Sequence, residues 1–398
     1  MREWFQTRRF ICSVVLIALG LSCTLAAWLV TEARSSSERR YQHALAALQA
    51  GDFKTVATTV RSLEADPQFE VRARYLRAAC LMKTGKGDQA LDEIARLPQT
   101  GELLVPMLLL AAEAHYQDGR LADAESAARH AVHEEPGNVD AHRWLASILY
   151  DLGANQAAVA ELSVVMQLAP QDFSPHYLLA TIESDAERFQ EAAREYRAAL
   201  ERHPPAASRP VLVRGLVSAL VAHRKYVAAL EVIETERKHN ALPPDAACLA
   251  LEADCRWNLG EQNQAREILD QASHIDEHDP RLLQVRSRIL IESGQVADAV
   301  SLLEELLEKD PHDFESRYRL ALAYRKLNDA ARADEEMQRM RQSQALRRRL
   351  ANLSDQAVAH PRDPQIRDEL ANVCEQLAKP ALARLYRQAA EACRRNGK

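Results

Sequence analysis

The sequence predicts an all-α protein, a solenoid of repeated helix pairs behind one N-terminal membrane-spanning helix. Three observations carry that prediction. The composition favours helix: Ala is abundant, only 12 Gly and 16 Pro occur in 398 residues, and β-branched clusters flanked by turn residues are scarce. Small-residue and proline landmarks recur every 34 residues through the middle of the chain. Near the start, Phe10 to Val30 forms a run of 21 residues without a charge.

A hydrophobic share of 47% and a charged share of 27% are ordinary for folded protein. At 398 residues the chain is long for one compact domain, so two or three globular units or one repeat array are expected. A net charge of -6 argues against general nucleic-acid affinity, which needs a basic face. The seven cysteines form no framework. Cys12 and Cys23 lie in the apolar run, while Cys80, Cys248, Cys255, Cys374 and Cys393 are scattered without a C-x-x-C pair. On one helix Cys248 and Cys255 would stand roughly 10 Å apart, too far for a disulfide. They read as small buried apolar residues rather than redox or metal groups.

Residues 1–9 form a short tail, and residues 10–30 are the expected signal anchor. At about 1.5 Å per residue such a helix crosses the roughly 30 Å hydrocarbon core, and Trp28 suits an interfacial position. A cleaved signal peptide normally has an apolar region of about 7–15 residues, so cleavage and export is the alternative. Thr7-Arg8-Arg9-Phe10-Ile11 partly resembles a twin-arginine signal, but the apolar run is strong for that route and nothing downstream points to a cofactor. Gly20-Leu21-Ser22-Cys23 ends like a lipoprotein box with Gly where Leu is usual, which counts against lipidation of Cys23. Arg2, Arg8 and Arg9 precede the span and Arg34, Arg39 and Arg40 follow it, so the positive-inside rule gives a modest signal. The expectation is a cytoplasmic N-terminus and an extracytoplasmic array, with the unpaired cysteines weighing slightly against it. Residues 31–36 are a linker.

Beyond the linker the segments align on a turn residue. Leu109 to Pro136, Leu145 to Pro170 and Leu178 to Pro204 share three sets of landmarks. These are Ala112, Ala146 and Ala180; then Ala124, Ala158 and Ala192; then Pro136, Pro170 and Pro204. Within Leu178 to Pro204, Leu179-Ala180, Ala192, Tyr196, Ala199 and Pro204 follow one order, which Leu320-Ala321, Ala333, Met337 and Met340 repeat without the closing Pro. That order resembles the tetratricopeptide repeat, a unit of helix, turn and second helix. The resemblance implies a right-handed superhelical solenoid with first helices lining its concave side. Units begin near 37, 71, 105, 139, 173, 210, 246, 280 and 314. The extra residues fall in the Pro-rich loops Pro204 to Pro210 and His239 to Asp245. The first unit is degenerate, with Gly51-Asp52-Phe53 at its turn.

These units assign residues 37–340 to a solenoid of about nine repeats. A tenth, tetratricopeptide-like unit occupies 364–398, with Pro380 at its turn. The 50-residue spacing between 314 and 364 predicts one long helix from about Ala331 to Ala359, whose basic extension occupies 341–363. Arg339, Arg341, Arg347, Arg348 and Arg349 there read as a solvated face partly paired with Asp334, Glu335 and Glu336. The alternative is a patch for an anionic lipid or an acidic partner.

Motifs for chemistry are few. Thr84-Gly85-Lys86-Gly87 lacks the spacing of a phosphate loop and falls where a repeat turn belongs. His130 and His133 close a helix, a position that the helix dipole favours. His274 and His278 have metal-ligand spacing but occupy a unit end before Pro280, without a third ligand. No catalytic residue, metal site or cofactor is expected, and the chain is not expected to be an enzyme. An enzyme or accessory factor of envelope polymer metabolism is the least favoured reading.

In Ala141 to Gly153, Leu145, Ala146, Leu149 and Leu152 form a core-facing stripe, and Trp144 and Tyr150 fall outside it as exposed aromatics. The tetratricopeptide resemblance implies that such positions line the concave groove. Those slots hold Tyr75, Glu113, Tyr116, Arg143, Trp144, Tyr150, Tyr177, Arg214, Trp257 and Tyr318. Aromatics and Arg suit binding hot spots because they bury much area and still hydrogen bond. The expected function is a membrane-tethered scaffold that takes a partner protein or peptide in that groove. The alternative is an assembly factor of an envelope complex acting through its convex face or basic helix. Nucleic acid is not an expected partner, and the oligomeric state stays open.

Overall fold

One backbone conformation recurs in every repeat. Gly51, Gly85, Gly119, Gly153, Glu187, Arg224, Gly260, Gly294, Asn328 and Ala378 all have positive φ, and each lies fourteen residues after one of the ten unit starts named above. This left-handed residue stops the first helix of a pair and turns the chain into the second. In the fourth repeat Ala154 N–H donates to Leu149 O at 2.9 Å and Gly153 N–H to Tyr150 O at 2.8 Å. Those two bonds are the Schellman closure, which satisfies carbonyls that the helix end leaves without partners.

The computed structural model describes residues 36–98, 100–238, 245–360 and 363–396, and among them every regular element is helical. The expected span at 10–30 lies outside the described residues, as does most of the His239 to Asp245 loop. None of the described helices is long and apolar enough to cross a membrane. The chain divides into two compact units at Asp118 and Gly119, a boundary inside the third repeat that the expected single array from 37 to 340 did not contain. The first unit carries α1 (36–49), α2 (Phe53–Leu63), α3 (Glu70–Lys83), α4 (Gly87–Ala95) and α5 (Leu104–Gln117).

The second unit continues with α6 (Leu121–Glu134), α7 (Val139–Asp151), α8 (Asn155–Leu168), α9 (Ser174–Asp185), α10 (Phe189–Glu201) and α11 (Arg209–Ala222). After these come α12 (Tyr226–Lys238), α13 (Ala246–Asn258), α14 (Gln262–Ile275), α15 (Pro280–Glu292) and α16 (Val296–Lys309). The unit ends with α17 (Phe314–Lys326), α18 (Ala330–Ala359), α19 (Pro364–Gln376) and α20 (Pro380–Asn396). Helix α18 is unbroken across residue 340, so the basic stretch beginning at 341 is the continuation of a repeat helix rather than a separate element. First helices start on short acceptors. Asn138, Asp245, Asp279 and Asp363 each take a backbone N–H of the first turn, and Pro280 and Pro364 fit the first turn, where no intrahelical donor is needed.

Small residues set the approach of the two helices in each pair. On the second helices Ala90, Ala124, Ala158, Ala192, Ala229, Ala265, Ala299 and Ala333 are all 0% exposed. On the first helices Ala112, Ala146, Ala180, Ala253 and Ser287 are equally sealed. At interior packing density a longer side chain at these positions has no space to occupy. Between repeats the filling is larger: Leu145, Ile148, Leu149 and Leu162 are buried on α7 and α8. A glycine substitutes for bulk at one seam. A Cβ on Gly215 of α11 would lie 2.4 Å from Cζ of the buried Tyr196 on α10.

The end of the second unit packs back onto its beginning. Helix α18 touches α8, and α20 touches α6. The carbonyl of Leu152, at the C-terminus of α7, accepts from Ser354 Oγ and, at 3.3 Å, from the Tyr386 hydroxyl. Tyr386 is the largest fully buried side chain among the described residues. A Cβ on Gly153 would stand 3.4 Å from Ser354 Oγ and 3.9 Å from Ala351 Cα, so this turn also lets α18 approach. The second unit is therefore a closed array whose last repeats cap a helix end about 200 residues earlier.

The turn geometry predicts opposite effects of glycine exchange. Left-handed φ costs a side-chain-bearing residue roughly 1–2 kcal/mol. Arg224→Gly and Ala378→Gly are expected to raise the thermal midpoint in circular dichroism, and Gly153→Ala to lower it.

Candidate functional site

The two helices of each repeat have different neighbours. In the second unit α7 touches α9, α9 touches α11, α11 touches α13, α13 touches α15 and α15 touches α17. No two consecutive second helices touch among the described residues. First helices therefore crowd the inner side of the curve and present its concave face.

Side chains on that face are joined from repeat to repeat by polar contacts. Arg143 of α7 donates to Asp172 at 2.8 Å and to Ser174 Oγ at 3.0 Å, and it also pairs with Asp140. The Tyr150 hydroxyl reaches Asp185 of α9 at 2.7 Å, and Arg214 of α11 reaches Asp245 at 2.7 Å. Trp257 Nε1 of α13 donates to Glu292 of α15 at 2.5 Å. Apart from the local Arg143–Asp140 pair, each bond spans one repeat, so these residues hold the inner helices in register as well as facing the groove.

The expected binding residues divide accordingly. Trp144 and Tyr150 are half-buried rather than exposed, and the Tyr150 hydroxyl is tied to the neighbouring first helix α9 through Asp185. Burial, then the bond to Asp185, raises the Tyr150 phenol above its ordinary value. Trp257 is 9% exposed and belongs to a core with Ala250, Ala253, Leu282 and Val285, whose alanines leave room for the indole. It serves chiefly to join α13 to α15. Tyr177 (36% exposed) and Tyr318 (44%) keep open ring surface, with Tyr177 tilted 47° against Tyr196 at 6.4 Å. In the first unit Tyr75 and Tyr116 are half-buried, and Glu113 accepts from Lys83 at 3.1 Å.

Charged residues on the same face were missing from the sequence expectation. Asp254 of α13 is buried and pairs with Arg288 of α15. Burial raises its carboxyl, opposed by Arg288, Arg319 and Arg281. Arg319 of α17 pairs with Glu315, and burial lowers its guanidinium. Asp254, Arg288, Arg325 and Lys326 occupy first-helix positions 8, 11 or 12 residues into a unit, and that spacing would have found them.

Elsewhere the basic residues of α18 are partly engaged. Arg339 pairs with Glu335 and Glu336, Arg347 with Asp310 at 3.8 Å and Arg349 with Glu369 at 3.0 Å. Arg341 and Arg348 are exposed and make no ion pair among the described residues. His274 Nδ1 meets Asp270 O at 2.6 Å and His278 Nδ1 meets Glu305 at 2.8 Å, so each imidazole is held by a different group. Burial, reinforced by Asp245 beside Cys248 and by Asp254 beside Cys255, pushes both thiols up to about 12, far from the thiolate that redox or metal chemistry uses.

Family comparison agrees with this geometry. Tetratricopeptide repeat models match residues 115–182 and 290–357, and a second such model matches 177–217. The chain therefore carries tetratricopeptide repeats over these stretches. It is similar to the DnaJ homolog subfamily C member 3 of Gallus gallus, with 26% identity over 228 residues. That alignment covers 55% of this chain and 45% of the relative, so the chain spans less than half of the relative's length. Among solved structures it is similar to pilF of Pseudomonas aeruginosa, at 18% identity, 54% and 95% coverage and a TM-score of 0.43. A tetratricopeptide repeat protein from Parabacteroides merdae gives 15% identity, 61% and 94% coverage of the two chains and a TM-score of 0.43.

The Asp172 junction carries a pH dependence. Burial alone would raise this carboxyl, but the N–H and hydroxyl of Ser174 and the Arg143 guanidinium hold it below the usual aspartate range. Its contribution is complete above the unfolded value, about pH 4, and is lost as pH falls through the lower folded value. Asp172→Asn is expected to flatten the acid limb of a plot of melting temperature against pH.

Proposed function

We propose that the chain is a protein-binding scaffold that holds an extended partner segment on the concave face of its second unit. The observation that carries this reading is the asymmetry of helix contacts. The crowded first helices form one continuous inner surface from α7 to α17, while consecutive second helices stand apart. A continuous face of that kind suits a ligand that runs across several repeats. Tyr177, Trp144 and Arg143 at its α7–α9 end offer aromatic surface beside a guanidinium, the chemistry of binding hot spots.

We further propose that residues 10–30 tether this scaffold to a membrane, with the N-terminus cytoplasmic and the repeats extracytoplasmic. The uncharged length of the segment supports the tether. The convex or basic-helix reading has less to use, since Arg339, Arg347 and Arg349 are engaged by carboxylates of the same chain.

A photo-crosslinking residue at Tyr177 is expected to capture partner, and one at Leu168, exposed near the end of the second helix α8, is not. Trp144→Ala with Tyr177→Ala is expected to abolish capture while helical content and melting persist. Capture at Leu168 in preference to Tyr177 would move the interface off the inner face. Protease added to the extracytoplasmic side of intact cells is expected to digest the repeats and spare the first nine residues. Digestion only after permeabilisation would reverse the orientation.

A further inference from the structure

The inner face changes character along its length, and its α15–α17 end is where cations outnumber their partners. Arg281, Arg288, Arg319, Arg325 and Lys326 gather there in a chain whose net charge is -6. Asp254 takes Arg288 and Glu315 takes Arg319. Arg325 meets only the exposed Asp334, at 3.6 Å. Lys326 Nζ donates to the carbonyl of Ile291 at 2.9 Å, and Arg281 to the hydroxyl of Ser218 at 3.1 Å, so neither makes an ion pair among the described residues. Glu292 is engaged by the Trp257 indole. One donor is stranded: Nη1 of Arg319 is out of solvent with no hydrogen-bond partner. Leaving a buried donor unmatched is costly, the more so on a charged group.

These cations surround a shaped space. A cleft of about 590 Å³ opens between α15 and α17, with Ile291 and Leu322 as its apolar lining, Arg288, Arg319, Arg325 and Lys326 around them, and the already engaged Glu292 and Glu315 on the same wall. The exposed Tyr318 stands at its side. Simple counter-ions would satisfy the charge but leave the apolar floor in water. An occupant that satisfies both carries carboxylates next to an apolar side chain. The α7–α9 end of the same face differs, since Asp140, Asp172 and Asp185 surround Arg143 and the Tyr150 hydroxyl. Charge complementarity therefore places an acidic segment at one end of the groove only.

We propose that the α15–α17 cleft is an acidic-peptide subsite. It takes an extended partner segment whose carboxylates meet Arg288, Arg319, Arg325 and Lys326 and whose intervening apolar side chain rests on Ile291 and Leu322. The proposal rests on the concave-groove reading above and adds the chemistry of the ligand and its place along the groove.

The test uses the full chain in detergent and a fluorescein-labelled decapeptide of alternating Glu and Leu, followed by fluorescence anisotropy. Controls are the Lys–Leu and Glu–Ser peptides of equal length and a single-stranded oligonucleotide. The Glu–Leu peptide is expected to bind at least tenfold more tightly than any control and to weaken as salt rises. Arg325→Glu with Lys326→Glu, both at exposed positions, is expected to cost at least tenfold in affinity. Arg325→Lys is expected to retain binding, and the melting curves of all variants to match the parent. Equal binding of the Lys–Leu peptide or the oligonucleotide would overturn the proposal. So would Glu–Leu binding that survives charge reversal but is lost in the Trp144→Ala, Tyr177→Ala variant, a result that keeps the groove and removes this subsite. No binding of the Glu–Leu peptide also overturns it, whereas continued capture through Tyr177 would leave the groove reading standing.

Discussion

Each repeat depends on one contact between small side chains. The alanine that opens the second helix, among them Ala158, Ala192, Ala265 and Ala299, is sealed from solvent against its partner helix. A methyl group at that point lets the pair close to backbone-limited distance, and a larger group would push it open. Because the same residue recurs from pair to pair, each repeat hands the next nearly the same rotation. The curve of the second unit accumulates from that constancy. The crowding of first helices on the inside is its direct consequence.

The proposed function follows from the crowding. Inner helices that touch must satisfy polar side chains across each seam, and Tyr150–Asp185, Arg214–Asp245 and Trp257–Glu292 do so at a spacing of one repeat. The same residues thus set the groove and surface it. Where a seam carries charge withdrawn from water, at Asp254, Arg288 and Arg319, the pairing is incomplete and one nitrogen of Arg319 has no hydrogen-bond partner. Rigid inner helices also keep such charges at fixed separations, which lowers the ordering cost for a ligand.

Much of this was legible in the sequence, and the limits are physical. The recurring alanines reported the pair contact, because few other residues fit there. The turns at Gly85 and Gly153 announced themselves, but Glu187, Arg224 and Ala378 adopt the same left-handed conformation with side chains that give no such signal. There the surrounding helices impose the turn. Trp257 stood in the right slot for a groove residue, yet its small neighbours Ala250 and Ala253 let it sink into the core, a property of the packing rather than of the position. The return of α18 and α20 to α7 left no trace in the pattern. It rests on two hydroxyls meeting one backbone carbonyl across more than 200 residues, and a carbonyl has no letter in the sequence.

The closure of the second unit is the most direct check on whether a constant repeat geometry shapes the groove. Spin labels at Gln156, exposed near the start of α8, and Asn352, exposed on α18, report it through their dipolar coupling. The account predicts one narrow distribution at about two helix diameters, ~20–25 Å. A broad distribution centred near four diameters, roughly 40 Å or more, would mean an open superhelix and contradict it.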